Sequence, residues 1–210
     1  MLIETIRIMK KIILGLSLLT FFACNNSSKN SESQSDSNYI VENLLSINSE
    51  TELAEKFGKE NITRRDFTYG ERTEISTESV LFEGTEKEIQ FAWKDDSVNF
   101  NKLNIITVSK PNSVWKTREG IKIGTRMTEL EKINGKPFTF SGFGSGDAGQ
   151  TDFDGGVLSP TPVYFTLGGL KQDYNNEKYT KLISDKDFKS DSKEALDYNP
   201  YVVEFCVIKK

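Results

Sequence analysis

Three aspartates, Asp147, Asp152 and Asp154, lie within eight positions of a glycine-rich stretch, residues 142–156. Carboxylate oxygens gathered on one loop are what calcium takes as ligands. The spacing lacks the alternating acidic positions and closing glutamate of an EF-hand. Aspartate and glycine are also the residues that turns favour, because they tolerate left-handed backbone and bond locally to it. The three aspartates are therefore the candidate metal ligands in a chain expected to hold no resident metal or cofactor. Ser145 stands among glycines in Gly142-Phe143-Gly144-Ser145-Gly146, without the Gly-x-Ser-x-Gly spacing of a nucleophile elbow or a following P-loop lysine. That segment reads as a turn. Asp95 and Asp96 are adjacent, and neighbours at a strand end point apart, so they do not form an acid–base pair. Histidine is absent from all 210 residues, which excludes Ser-His-Asp and Cys-His catalysis and makes a zinc site improbable. No catalytic residue is expected, and the chain is read as a non-enzyme.

The two cysteines have different surroundings. Cys206 sits in the apolar run from Tyr201 to Ile208 and is expected to be a small buried hydrophobe. Cys24 follows Met9, Lys10 and Lys11 and the apolar residues 12–23, which together have the basic and apolar regions of an export signal. About 12 apolar residues are too few for a membrane span, which needs about 20. Residues 1–23 are thus expected to be removed, with Met1 and Met9 both open as the start. Residues 19–24, LTFFAC, resemble the lipobox of bacterial lipoproteins. The resemblance implies a diacylglycerol and palmitate anchor on Cys24; the alternative is an ordinary signal followed by a chance cysteine. Two or three acyl chains hold a protein stably where one does not. Residues 25–38 contain six serines, four asparagines and no apolar side chain, so residues 24–38 are expected to be the lipidated cysteine and a flexible tether.

Net charge is -4, and loss of residues 1–23 makes it more negative, since Arg7, Lys10 and Lys11 go with Glu4. The longest basic clusters are Arg64-Arg65 and Lys209-Lys210, too short for the stripe that phosphate backbones require, so nucleic acid is not an expected partner.

About 170 residues remain for the body, enough for one ordinary domain or two small ones. At an offset of 77, Thr51, Glu52, Leu53, Gly58 and Lys59 match Thr128, Glu129, Leu130, Gly135 and Lys136. Both segments read as short helices, capped by Ser49 with Glu52 and by Thr125, and stopped by glycine, with Pro137 closing the second. Strand patterns follow each, at 62–69, 77–83, 87–93 and 103–109, and at 138–143, 153–158, 162–167 and 201–208. Ile89, Phe91 and Trp93 alternate with smaller or polar residues, as do Val163, Phe165 and Leu167, at an offset of 74. Short links imply antiparallel order. The expected fold is α+β: two tandem repeats, 39–110 and 111–210, each a short helix followed by an antiparallel sheet of about four strands. The second carries a polar insertion near 170–199 with a short helix near 192–196. Trp115, Phe138, Phe140, Phe143 and Phe153 are read as core.

Residues 120–137, GIKIGTRMTELEKINGKP, resemble the helix entry of BamE/SmpA-type lipoproteins and of β-lactamase-inhibitor-protein-like tandem repeats. The resemblance implies an antiparallel α+β body in a cell envelope and carries over no catalytic residue. The expected function is a membrane-anchored, non-enzymatic protein-binding or assembly module, most simply at the outer membrane on its periplasmic face or at the cell surface. The alternative is a periplasmic small-ligand or calcium-binding lipoprotein using loop 142–156.

Overall fold

The computed structural model describes residues 39–68, 75–95 and 99–209, and the expectations for the signal, for Cys24, for the tether and for Asp96 lie outside them. Within the described body, Ser49 accepts from the Glu52 amide at 3.2 Å and starts α1, Glu50–Phe57. Glu52 reaches back to the Asn48 amide rather than to that of Ser49, so the capping box closes one residue early. Helix α2, Met127–Asn134, begins without the expected cap: Thr125 accepts instead from the Lys122 amide. Asn199 replaces it from far along the chain, its Oδ1 accepting from the Thr128 amide and its Nδ2 donating to the Thr128 hydroxyl. Gly135 ends α2 in the left-handed region at φ 78°, where a side chain would be strained.

The nine strands among the described residues follow the expected order only in part. Strands β1 (Ile62–Thr68), β2 (Ile75–Leu81), β3 (Ile89–Asp95) and β4 (Asn101–Val108) form an antiparallel meander. The second half does not build an equivalent sheet of its own. Strands β7 (Val163–Gly168) and β9 (Tyr201–Ile208) extend the first sheet to six strands in the order β1-β2-β3-β4-β9-β7. Strands β5 (Thr139–Ser141), β6 (Thr151–Asp152) and β8 (Asp187–Lys189) make a second sheet in the order β6-β5-β8, joined to β7 by the bridge between Gln150 and Thr166. The fold is α+β with antiparallel sheets. The strand expected at 153–158 is instead a turn: Asp154 and Gly155 both have positive φ, and the Asn134 side chain accepts from the Leu158 amide and donates to the Phe153 carbonyl.

The junction between halves is the β4–β9 pair, where Ile106 faces Val207 and Val108 faces Phe205. On either side the register matches. Phe91 faces Ile106 in β3–β4, Phe165 faces Phe205 in β7–β9, and a bulge follows Ala92 in one pair and Thr166 in the other. The helices enter alike as well: the Glu50 amide donates to the Phe100 carbonyl, and the Met127 amide to that of Pro200.

Period-two alternation puts Ile89, Phe91 and Trp93, and likewise Val163, Phe165 and Leu167, in the hydrophobic core. Leu53 of α1 and Leu130 of α2 are fully buried in the same cluster, each worth about 1.5–3 kcal/mol of apolar burial. One hydrophobic cluster runs through both halves and takes in Trp115, Phe138, Phe140 and Phe153, with Phe143 half-buried at its margin. Cys206 corrects its expectation: Phe205 and Val207 point into the core, so period two leaves Cys206 half-buried on the opposite face.

Candidate functional site

The glycine-aspartate loop is held by backbone contacts, and its carboxylates do not converge. Asp147, Asp152 and Asp154 are all exposed. Asp152 accepts from the Asp154 amide at 3.0 Å, an ordinary turn bond, and Lys136 donates to the Asp154 carbonyl at 2.7 Å. Among the described residues no group of three or more histidine, cysteine, aspartate or glutamate side chains that could hold a metal is assembled. Ser145 donates to the Gly142 carbonyl. The glycines beside it serve close approach: the amides of Gly142, Phe143 and Gly144 donate to the carbonyls of Lys186, Leu182 and Ser184. Loop 142–146 is therefore a seat for the insertion. Asp95 accepts from the Asn99 side chain at the end of β3.

The insertion is structured throughout. A 3-10 turn, Lys171–Asn175, leads into α3, Glu177–Thr180, then β8 and α4, Lys193–Tyr198. Tyr179, Leu182, Phe188 and Ala195 are its buried anchors. Tyr179 stacks on Phe143 at 5.2 Å and on Tyr174 at 5.4 Å, and meets Tyr198 edge-on at 5.2 Å. Asn176 and Ser192 cap the two helices through their side chains.

Where the insertion meets the entry to α2, an open cleft of about 480 Å³ is formed. Arg126 lines one side, donating to the Asn199 carbonyl at 2.9 Å with its guanidinium 5.0 Å from the Tyr201 ring. Asp173 lines the other, its Oδ2 accepting from the Leu170 amide at 2.9 Å and the Tyr198 hydroxyl at 3.0 Å. Burial, reinforced by the bond to Asp173, pushes the Tyr198 hydroxyl well above the ordinary tyrosine range, so it stays a donor. None of these residues stood out in the sequence. Only the placement of Tyr174, Tyr179, Tyr198 and Tyr201 within one polar insertion and its exit gave a hint, and aromatic residues in loops also serve as anchors.

No family model matches the chain, and neither curated proteins nor solved structures include a significant match to it.

Proposed function

We propose that this chain is an envelope lipoprotein, held at the outer membrane by acyl chains on Cys24, whose body acts as a non-enzymatic protein-binding or assembly module. The observation that carries this reading is the distribution of exposed apolar side chains. Of six large ones among the described residues, Leu170, Tyr174, Ile183 and Leu196 all belong to the insertion, and only Val157 and Tyr164 lie elsewhere. Apolar surface concentrated on one element is costly in a free protein and marks a place where another surface docks. The resemblance of residues 120–137 to BamE/SmpA-type lipoproteins supports the envelope setting.

The same reading takes residues 39–110 and 111–210 as two copies of one unit. Helices of equal length with bounds displaced by 77 positions support it. So do the bulges after Ala92 and Thr166, displaced by the 74 positions that align Phe91 with Phe165. The junction at β4–β9 then relates the copies across neighbouring antiparallel strands.

The test is crosslinking and affinity recovery of the intact lipoprotein from detergent-solubilised envelopes, beside a Tyr174→Ser, Leu196→Ser variant. A specific partner recovered with the parent and lost with the variant supports the proposal. Repeated recovery of the protein alone counts against it. Labelling with a palmitate analogue, lost in Cys24→Ser, tests the anchor separately.

A further inference from the structure

Independently of any protein partner, the cleft between α2 and the insertion holds two opposite charges that do not pair with each other. Its volume, about 480 Å³, is within the range of ligand pockets. Apart from Gly124 and Leu170, its lining residues carry polar side chains. An apolar ligand would strip water from them and return no hydrogen bonds. The ligand that fits is hydrophilic.

Four ionised side chains line the cleft, Arg126, Asp173, Lys178 and Asp197. Asp197 is already paired: Lys193 donates to it at 2.7 Å, and that bond, with the charges of Lys193, Lys178 and Lys181, holds its carboxyl below the ordinary range. Arg126 and Asp173 are left. Among the described residues neither forms a salt bridge, with the other or with any third group.

Each is nevertheless held in place before any ligand arrives. Arg126 donates through Nη1 to the Asn199 carbonyl at 2.9 Å and lies 5.0 Å from the Tyr201 ring. Asp173 accepts from the Leu170 amide at 2.9 Å and the Tyr198 hydroxyl at 3.0 Å. These partners are neutral, so they orient the guanidinium and the carboxylate and cancel neither charge. Such fixing lowers the entropy cost of binding. The remaining guanidinium donors of Arg126 suit a carboxylate, and the carboxylate of Asp173 suits an ammonium group. A ligand with one charge alone would meet attraction at one wall and repulsion at the other. A ligand with both meets attraction at each.

We propose that this cleft binds a small zwitterion of the amino-acid type, its carboxylate on Arg126 and its ammonium group on Asp173.

The experiment is titration of the full-length, isotope-labelled chain in a non-ionic detergent, followed by amide chemical shifts. Glycine and glycylglycine carry both charges over two spans, N-acetylglycine keeps only the carboxylate, and glycinamide keeps only the ammonium group. At least one of the two zwitterions is expected to give saturable shifts confined to residues 124–126, 170–178 and 197–201. Each singly charged probe is expected to bind about tenfold more weakly or worse, the scale of one lost charged hydrogen bond. Asp173→Asn keeps an acceptor for Leu170 and Tyr198 and removes the charge. It is expected to weaken zwitterion binding about tenfold and to strengthen that of N-acetylglycine, a reversal that a merely structural role would not produce. Four results would overturn the proposal: no saturable shift with either zwitterion, shifts elsewhere in the fold, a singly charged probe binding as tightly as the zwitterions, or undiminished zwitterion binding by Asp173→Asn. The comparison of probes on the parent chain decides the matter even where the variant does not fold.

Discussion

The indole N–H of Trp93 donates to the hydroxyl of Ser79 at 2.9 Å, and that hydroxyl donates in turn to the carboxylate of Glu50. Trp93 and Ser79 are both buried and Glu50 is half-buried, so the two bonds tie β3, β2 and the first residue of α1 together. From β1, Arg64 closes the chain with two bonds to Glu50, at 2.6 and 3.0 Å, and lays its guanidinium 3.6 Å from the centre of the Phe100 ring. Four elements of the first half thus meet on one serine hydroxyl and one carboxylate.

Ser79→Ala leaves the Trp93 N–H buried without its acceptor and takes a donor from Glu50. Such an orphaned group costs about 1–3 kcal/mol, and the variant is expected to lose that much stability. Urea unfolding followed by tryptophan fluorescence measures it; an unchanged midpoint would mean that the bond contributes nothing.

Glu50 also sets a pH dependence. Burial alone would raise its carboxyl, but hydrogen bonds from Arg64 and Ser79 and the Arg64 charge outweigh burial and hold it below its ordinary value of 4.5. A carboxyl lowered by folding contributes stability above its unfolded value and loses it as pH falls through the folded one. Parent stability is therefore expected to fall below pH 4.5 more steeply than that of Glu50→Gln, which lacks the titrating group. Melting temperatures across the acid range compare the two slopes.

Glu204 carries the opposite sign. Burial on β9, beside Thr166, raises its carboxyl above the ordinary 4.5. Its favourable contribution is complete below that value and is lost as pH rises through the folded one, so at neutral pH the ionised group opposes folding. Glu204→Gln is expected to melt higher than the parent near neutrality, with the advantage shrinking in acid. Equal melting at neutral pH would contradict this.

Gly149 joins the two sheets. At φ 76° its amide donates to the Ser141 carbonyl and its carbonyl accepts from the Leu167 amide, and an added Cβ would collide with the Leu167 carbonyl oxygen. Gly149→Ala is expected to cost about 1–3 kcal/mol or more, from left-handed strain and the clash together. Gly146, whose Cβ position is open, should accept alanine within about 0.5 kcal/mol. Parallel denaturant titrations of the two variants make the comparison.

Several elements were legible in the sequence because their causes are local. The C-terminal strand, Tyr201–Ile208, is where its apolar run placed it, and the first helix is capped by Ser49 as its position implied. Phe153 to Leu158 misled because apolar residues, Phe153 on one side and Val157 and Leu158 on the other, flank glycines there, a pattern shared by a strand and by a turn with its ends buried. Asn134 decides between them by bonding to Phe153 and Leu158, and one asparagine in a helix has no sequence signature for that role. In the aspartate loop, closeness in sequence is not convergence in space: among the described residues the three carboxylates do not form a group that could hold a metal.

The sequence by itself determined the α+β class, the antiparallel strand patterns and the glycine stops of both helices, since these follow from side-chain period and backbone freedom over a few residues. Tertiary structure alone decided that β4 pairs with β9 to make one sheet from two halves, and that the insertion folds back to face Arg126 across a cleft. Strand pairing is made by backbone groups common to every residue type, and Asn199 caps α2 across 71 positions, so neither partner's identity announces the other.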